Sequence, residues 1–278
     1  MTTTTPITTP TTSTAMRPPQ APAGQPILVA QGLTKAYQGN TVLHGVDLQI
    51  REGEFIAVMG PSGSGKSTLL YTISGMDRMT SGSVQFAGEE LADLSQKQLS
   101  RLRLTRMGFI FQHVYLLKNL TLLDNVVLPA FLAKLAPAQS WPAARSLLER
   151  TGVGDLADRD ISQASGGQLQ RIGICRALIN RPAIIFGDEP TGALDSASSS
   201  EIMDLLGELA AEGTTLMIVT HDTKVAARAD RLLYLVDGRI VGDRDNGRYD
   251  GTGLERRHAE IIDWLMDRGS SSPAPRPR

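Results

Sequence analysis

The chain has 278 residues, 41% hydrophobic and 21% charged, with a formal net charge of -1. That is ordinary globular composition, long enough for one large α/β domain or two small ones, and it lacks the basic excess of a nucleic-acid binder. A single cysteine, Cys175, excludes an intramolecular disulfide framework and fits a reducing compartment, and no apolar run approaches the ~18 residues that cross a bilayer.

Residues 1–25 are a Thr/Pro/Ala-rich tract without the basic-then-apolar order of a secretory leader. They carry too little apolar surface to offset the entropy of ordering, so disorder is predicted there and again over 270–278. The folded part is expected to span 26–269, in a soluble, cytoplasmic chain, so that any membrane role must be borrowed from a partner.

Strands are predicted at 27–29, 42–48 and 55–59, separated by turns at Gly39-Asn40 and Glu52-Gly53. A glycine-rich loop then opens a helix near Lys66, and Val84 and Phe86 alternate in a further strand over 83–88. A mainly helical stretch follows. Ser95 and Gln98 form a capping box ahead of Leu99 and Leu102, and a strand interrupts near 108–111. Thr121 opens a helix that Pro129 should kink or end, and the next helix, 141–150, stops at Gly152. The last third alternates: strand 183–186, amphipathic helix 196–211, strand 215–219, helix 223–229, strands 232–236 and 239–241, and a closing amphipathic helix 254–266. Strands alternating with helices predict a largely parallel sheet covered on both faces.

Three constellations carry chemistry. Gly60-Pro61-Ser62-Gly63-Ser64-Gly65-Lys66-Ser67, followed by Thr68, matches the phosphate-binding loop throughout. Its glycines let backbone N–H groups converge on phosphate oxygens at a helix amino terminus. Lys66 is expected on the β- and γ-phosphates of a bound nucleotide and Ser67 on Mg²⁺. Next, the apolar run Ala183-Ile184-Ile185-Phe186-Gly187 ends in Asp188-Glu189, which fits a metal-shell carboxylate (Asp188) beside a base for the attacking water (Glu189). Finally, Ser165-Gly166-Gly167-Gln168 starts a helix and so offers a second anion-binding terminus. Cys175, on that helix, reads as a packed small apolar residue rather than a redox switch.

These motifs, with Pro190-Thr191-Gly192-Ala193-Leu194-Asp195 and His221 in Val219-Thr220-His221-Asp222, stand in the order of ABC ATPases. The chain resembles that family over about 27–242. Phe111-Gln112, Leu116-Leu117, Leu120-Thr121, Asn125-Val126 and Leu128-Pro129 resemble most the lipoprotein-release and macrolide-export (MacB/LolD-like) branch. The resemblance implies an α/β phosphate-loop NTPase core with an antiparallel β subdomain and an inserted α-helical subdomain at about 90–165. It also implies that Tyr37 stacks on adenine, Gln112 touches Mg²⁺ and the attacking water, Asp195 communicates across a dimer, and His221 holds the γ-phosphate. The sequence departs from the usual pattern at Ala164, Leu169, Gly173 and Gly187. None of these removes a phosphate, metal or water contact, although Gly173 inside a helix should cost up to ~1 kcal/mol relative to Ala.

Cassettes of this family meet head to tail, so the partners implied are a second copy of the chain and a transmembrane permease encoded separately. Two cellular roles share these motifs. One is the ATPase of an exporter or lipid, lipoprotein or peptide extruder, and the other a cell-division-type signalling cassette acting on a membrane partner. A DNA-repair cassette would need a long coiled-coil insertion and a translation factor two cassettes, and the sequence has neither.

Overall fold

A computed structural model describes residues 26–269; the terminal tracts expected to be disordered lie outside the described residues. In chain order, β1 (Pro26–Tyr37) and β2 (Asn40–Arg51) precede β3 (Phe55–Met59), which leads through the glycine-rich loop into α1 (Lys66–Ile73). Next come β4 (Ser81–Phe86), β5 (Glu89–Glu90), α2 (Gln96–Arg106) and β6 (Met107–Phe111). Three helices follow, α3 (Leu122–Leu132), α4 (Pro137–Arg150) and α5 (Gly166–Leu178). The last part is β7 (Ile184–Asp188), α6 (Ser196–Ala211), β8 (Leu216–Val219), α7 (Thr223–Ala226), β9 (Arg231–Val236), β10 (Arg239–Asp245) and α8 (Leu254–Gly269).

Two sheets result. One is antiparallel, with strand order β2-β1-β4-β5; the other has the order β10-β9-β3-β8-β7-β6 and is parallel apart from its β10 edge. Period-two alternation decides where the central strands bury their side chains. In β3, Ile56 and Val58 join the core shared with the antiparallel sheet and α1, whereas Phe55, Ala57 and Met59 enter the core under α6, α7 and α8. β8 divides likewise, Met217 and Val219 on one side and Leu216 and Ile218 on the other. Burial on both faces explains why these strands read as unbroken apolar runs. A third core joins α3, α4 and α5 through Leu122, Val126, Ala144, Leu148, Ile172 and Cys175.

Several expectations are revised. β1 is much longer than residues 27–29, because Gly32 (φ 56°) absorbs a register shift between Ala30 and Leu33 and the strand resumes. Pro129 does not end α3, which continues to Leu132. The proline removes one N–H, but Val126, Val127 and Ala130 are buried against α4 and α5 and hold the helix through that gap. α4 starts a turn early, with Pro137 at its first position, where a missing N–H costs nothing. The helix expected over 223–229 is a single turn, α7. Buried Asn125 ties α3 to the preceding segment, accepting from the Leu117 N–H (2.7 Å) and donating to the Leu117 and Thr121 carbonyls. α8 lies on its own chain, with Ile261 buried and Trp264 and Leu265 against the same core.

Candidate active site

Strand register assembles the site. Val58 of β3 pairs with Val219 of β8, Val219 with Asp188 of β7, and Asp188 with Phe111 of β6. The residues that follow, the Gly60 loop, Thr220-His221, Glu189 and Gln112, therefore leave the sheet side by side. They gather at the carboxyl ends of parallel strands, where α/β folds bind ligands.

The loop after β3 is held close to the sheet. A Cβ on Gly60 would lie 1.9 Å from the Leu235 carbonyl oxygen, so only glycine fits there, and the Gly238 N–H donates to the Ser64 carbonyl (2.9 Å). Gly65, at φ 99°, turns the chain into α1. Lys66 Nζ donates to the carbonyl oxygens of Gly60 and Pro61, both at 2.9 Å, which lays the ammonium along the loop.

Most helix starts of the fold differ from this one, although α4, preceded by Ala136, also lacks a side-chain cap. Ser95, Thr121, Ser165, Asp195 and Asp222 cap α2, α3, α5, α6 and α7 through their side chains. α1 has no side-chain cap, so the first-turn N–H groups of Lys66, Ser67 and Thr68, which have no intrahelical acceptor, face the loop concavity. These unspent donors fit a polyphosphate.

Ser67 Oγ donates to Asp188 Oδ1 (2.9 Å), and the Tyr71 hydroxyl donates to Asp188 Oδ2 (2.7 Å). Among the described residues no cluster of three or more His, Cys, Asp or Glu side chains can hold a metal. One hydroxyl and one carboxylate, both hard oxygen donors, nevertheless suit Mg²⁺, which takes few protein ligands and completes its shell with water and phosphate.

Glu189 sits at φ 51°, a left-handed conformation uncommon outside glycine, secured by its N–H on the Val219 carbonyl (2.9 Å). Its Oε2 lies 2.7 Å from Nδ1 of His221, whose side chain is 71% exposed. Gln112 reaches the same place, since a Cβ on Gly192 would lie 3.0 Å from Gln112 Nε2 and 3.4 Å from the Glu189 Cβ. Glu189, His221, Gln112 and Gly192 thus form one group; Gly192 was not singled out from sequence.

Tyr37, at the end of β1, is 42% exposed, with its phenol on Asp77 Oδ2 and touching Thr68. Lys35, otherwise buried, lies 4.5 Å from the ring centroid and 2.7 Å from Asp77 Oδ1. Burial raises the Asp77 pKa, but hydrogen bonds from Lys35 and Tyr37 and the Lys35 charge outweigh it and hold the carboxyl below its ordinary value. Sequence reading missed this tether because Asp77 is 40 residues from Tyr37.

The Ser165–Gln168 helix start is placed apart from the loop. Ser165 Oγ caps the Gln168 N–H and Gln168 Oε1 accepts from the Ser165 N–H (2.8 Å). Gly167 abuts Ser198, whose Oγ would lie 3.0 Å from an added Cβ. Asp195 caps α6 on the Ala197 and Ser198 N–H groups (3.0 Å each), and those bonds, Ser198 foremost, lower its pKa. Among the described residues no hydrogen bond joins Ser165–Gln168 to the phosphate loop, so one chain does not bring these two motifs together.

A phosphate-loop cradle on a parallel sheet, with paired hydroxyl and carboxylate oxygens and an adjacent carboxylate, defines a phosphate-loop nucleoside-triphosphatase fold. The model of the family described as ABC transporter matches residues 43–192, and the chain belongs to that family. It is 47% identical over 246 residues to the macrolide export ATP-binding/permease protein MacB of Nitrosomonas europaea, covering 87% of this chain and 37% of that protein. It is 42% identical over 258 residues to the pyoverdine export ATP-binding/permease protein PvdT of Pseudomonas aeruginosa, covering 90% of this chain and 39% of that one. The chain therefore spans little more than a third of the length of these curated relatives. A dimeric bacterial ABC transporter cassette superposes with a TM-score of 0.74 at 38% identity, over 80% of this chain and all of that one. A dimeric cassette in a post-hydrolysis state, bound to ADP and Pi, superposes at 0.73 and 37% identity with the same coverage.

Proposed function

We propose that this chain is the ATP-binding and ATP-hydrolysing subunit of an ABC transporter. Two copies close on ATP and drive a membrane permease carried on a separate chain, in the direction of export. The observation that carries this reading is the convergence of the Lys66 cradle, the Ser67–Asp188 pair and the Glu189–His221–Gln112 group at one end of the parallel sheet.

In this reading the loop N–H groups of residues 60–68 and Lys66 hold the β- and γ-phosphates, and Tyr37 offers its ring to adenine. Ser67, Asp188 and Gln112 hold Mg²⁺, which when bound offsets charge on the phosphate oxygens. Glu189 takes the proton of the attacking water. His221 bonds Glu189 through Nδ1, which leaves Nε2 to face the γ-phosphate. The second copy supplies Ser165, Gly166, Gly167 and Gln168 to the same ATP, with Asp195 beside the junction. The dimeric cassette and the ADP- and Pi-bound dimer among the similar structures support this arrangement.

The permease reading is supported by the relatives' names and by the surface next to Gln112. Tyr115 is 73% exposed, edge-on to Phe111 and His113, and a groove beside it is lined by Phe109, Arg103 and Arg176. A partner seated there would feel any movement of Gln112 as the dimer opens and closes. Among the described residues no helix is long and apolar enough to cross a membrane. The proposed location is cytoplasmic, on the inner face of the membrane through the permease.

The test is Glu189→Gln. ATP binding should persist, hydrolysis should fall about 10²- to 10⁴-fold, and a dimer should accumulate in gel filtration with ATP. Normal turnover would remove Glu189 as the base. Isolating the native complex from membranes identifies the partner chain, and stimulation of ATPase by a candidate cargo distinguishes transport from signalling.

A further inference from the structure

The Asp188 carboxylate is held on both oxygens by one face of α1. Ser67 and Tyr71 are four residues apart on that helix, so their side chains stand one above the other. Ser67 takes Oδ1 at 2.9 Å and Tyr71 takes Oδ2 at 2.7 Å. Tyr71 is half-buried, with its ring against the core between the two sheets, so packing fixes where the phenol points. The Ser67–Oδ1 side is the pair of oxygens available to Mg²⁺, and Oδ2 is spent on Tyr71.

We infer that Tyr71 is a positioning residue for the metal site: by holding Oδ2 it fixes the rotation of the Asp188 carboxylate and keeps Oδ1 beside Ser67. Without the phenol a half-buried oxygen loses its donor, and the carboxylate is free to turn about its terminal torsion, which has a broad minimum. Outer partners that orient metal-binding carboxylates affect metal affinity about 10- to 100-fold.

The inference rests on the proposed ATP–Mg²⁺ reading of this site. It is tested by binding, without turnover: a fluorescent ATP analogue is titrated onto wild type and Tyr71→Phe, in EDTA and over a range of Mg²⁺ concentrations. Tyr71→Phe should need about 10- to 100-fold more Mg²⁺ for half-maximal enhancement of binding, with wild-type affinity in EDTA. In an Asp188→Asn background it should add nothing. A tyrosine that only supported packing would lower the melting temperature and weaken binding equally with and without Mg²⁺; that outcome, or an unchanged Mg²⁺ midpoint, overturns the inference. Wild type showing no Mg²⁺-dependent binding would instead remove the reading of the site itself.

Discussion

Lys66 donates two 2.9 Å hydrogen bonds to the Gly60 and Pro61 carbonyls of a loop that the Gly238 N–H, in the turn between β9 and β10, ties down at the Ser64 carbonyl (2.9 Å). Its ammonium is thus held along the cradle, where a triphosphate would meet it at little cost in ordering. Hydrogen bonds involving a charged group contribute about 1.5–3 kcal/mol, so Lys66→Ala should weaken ATP binding about 10- to 100-fold, measured by calorimetry; unchanged affinity would take Lys66 out of the site. Cys175 makes the opposite case. Its thiol is fully buried among α3, α4 and α5, with Sγ 3.1 Å from Thr151 Oγ1. Burial pushes its pKa up to about 11, so at pH 8 it is neither ionised nor reachable. Native protein should resist an aromatic disulfide reagent at that pH and react stoichiometrically once unfolded; rapid native labelling would contradict the packing.

At the scale of elements, α5 reverses an argument from propensity. Gly173 lies inside that helix, where alanine would ordinarily be up to ~1 kcal/mol better. In the fold an added Cβ would sit 2.7 Å from Val114 Cγ1. Val114 cannot easily withdraw, because Arg176 donates to its carbonyl (2.6 Å) and to that of Tyr115 (3.0 Å). Gly173→Ala should therefore destabilise by about 1–3 kcal/mol, the usual cost of overpacking, and Val114→Ala should relieve part of that loss. Denaturant titration of the two single variants and the double variant measures the coupling. Gly187 differs in kind: its added Cβ would meet Ile218 Cδ1 at 2.5 Å, and that methyl is the mobile end of a side chain. At both glycines a neighbouring side chain fills the space that a Cβ would take.

At the scale of the whole molecule, each chain carries two glycine-rich helix starts, and among the described residues no hydrogen bond joins them. Ser165–Gln168 lies beside the start of α6, against Ser198 and Leu194, while α1 faces the loop after β3. In the proposed dimer the first completes the second on the opposite copy. Gly166 has room for a Cβ, 3.4 Å from Leu194 Cδ2, so Gly166→Asp should fold and bind ATP as a monomer. Its carboxylate would oppose the partner's phosphates, and ATP-dependent dimerisation and hydrolysis should both be lost in light scattering and phosphate-release assays. A Gly166→Asp protein that still dimerised on ATP would refute the head-to-tail arrangement.

The motifs legible in the bare chain are those whose chemistry is local. Gly60 through Thr68 must turn into a helix within a few residues, Ser95–Gln98 and Thr121 mark helix starts with their own side chains, and Gly152 ends a helix through its left-handed backbone (φ 71°). β3, β7 and β8 announce their burial as unbroken apolar runs. Other features depend on residues far apart in the chain. Tyr71 and Asp188 are separated by 117 positions, and Tyr37 and Asp77 by 40. Glu189 meets His221 only because β7 and β8 pair in parallel with Asp188 opposite Val219. Whether Gly173 is a weakness or a fit depends on Val114, which comes from the segment after β6. Backbone turns and apolar periods are written in adjacent residues; hydrogen-bond partners and free space are set by sheet register and core packing, which bring distant segments together only after folding.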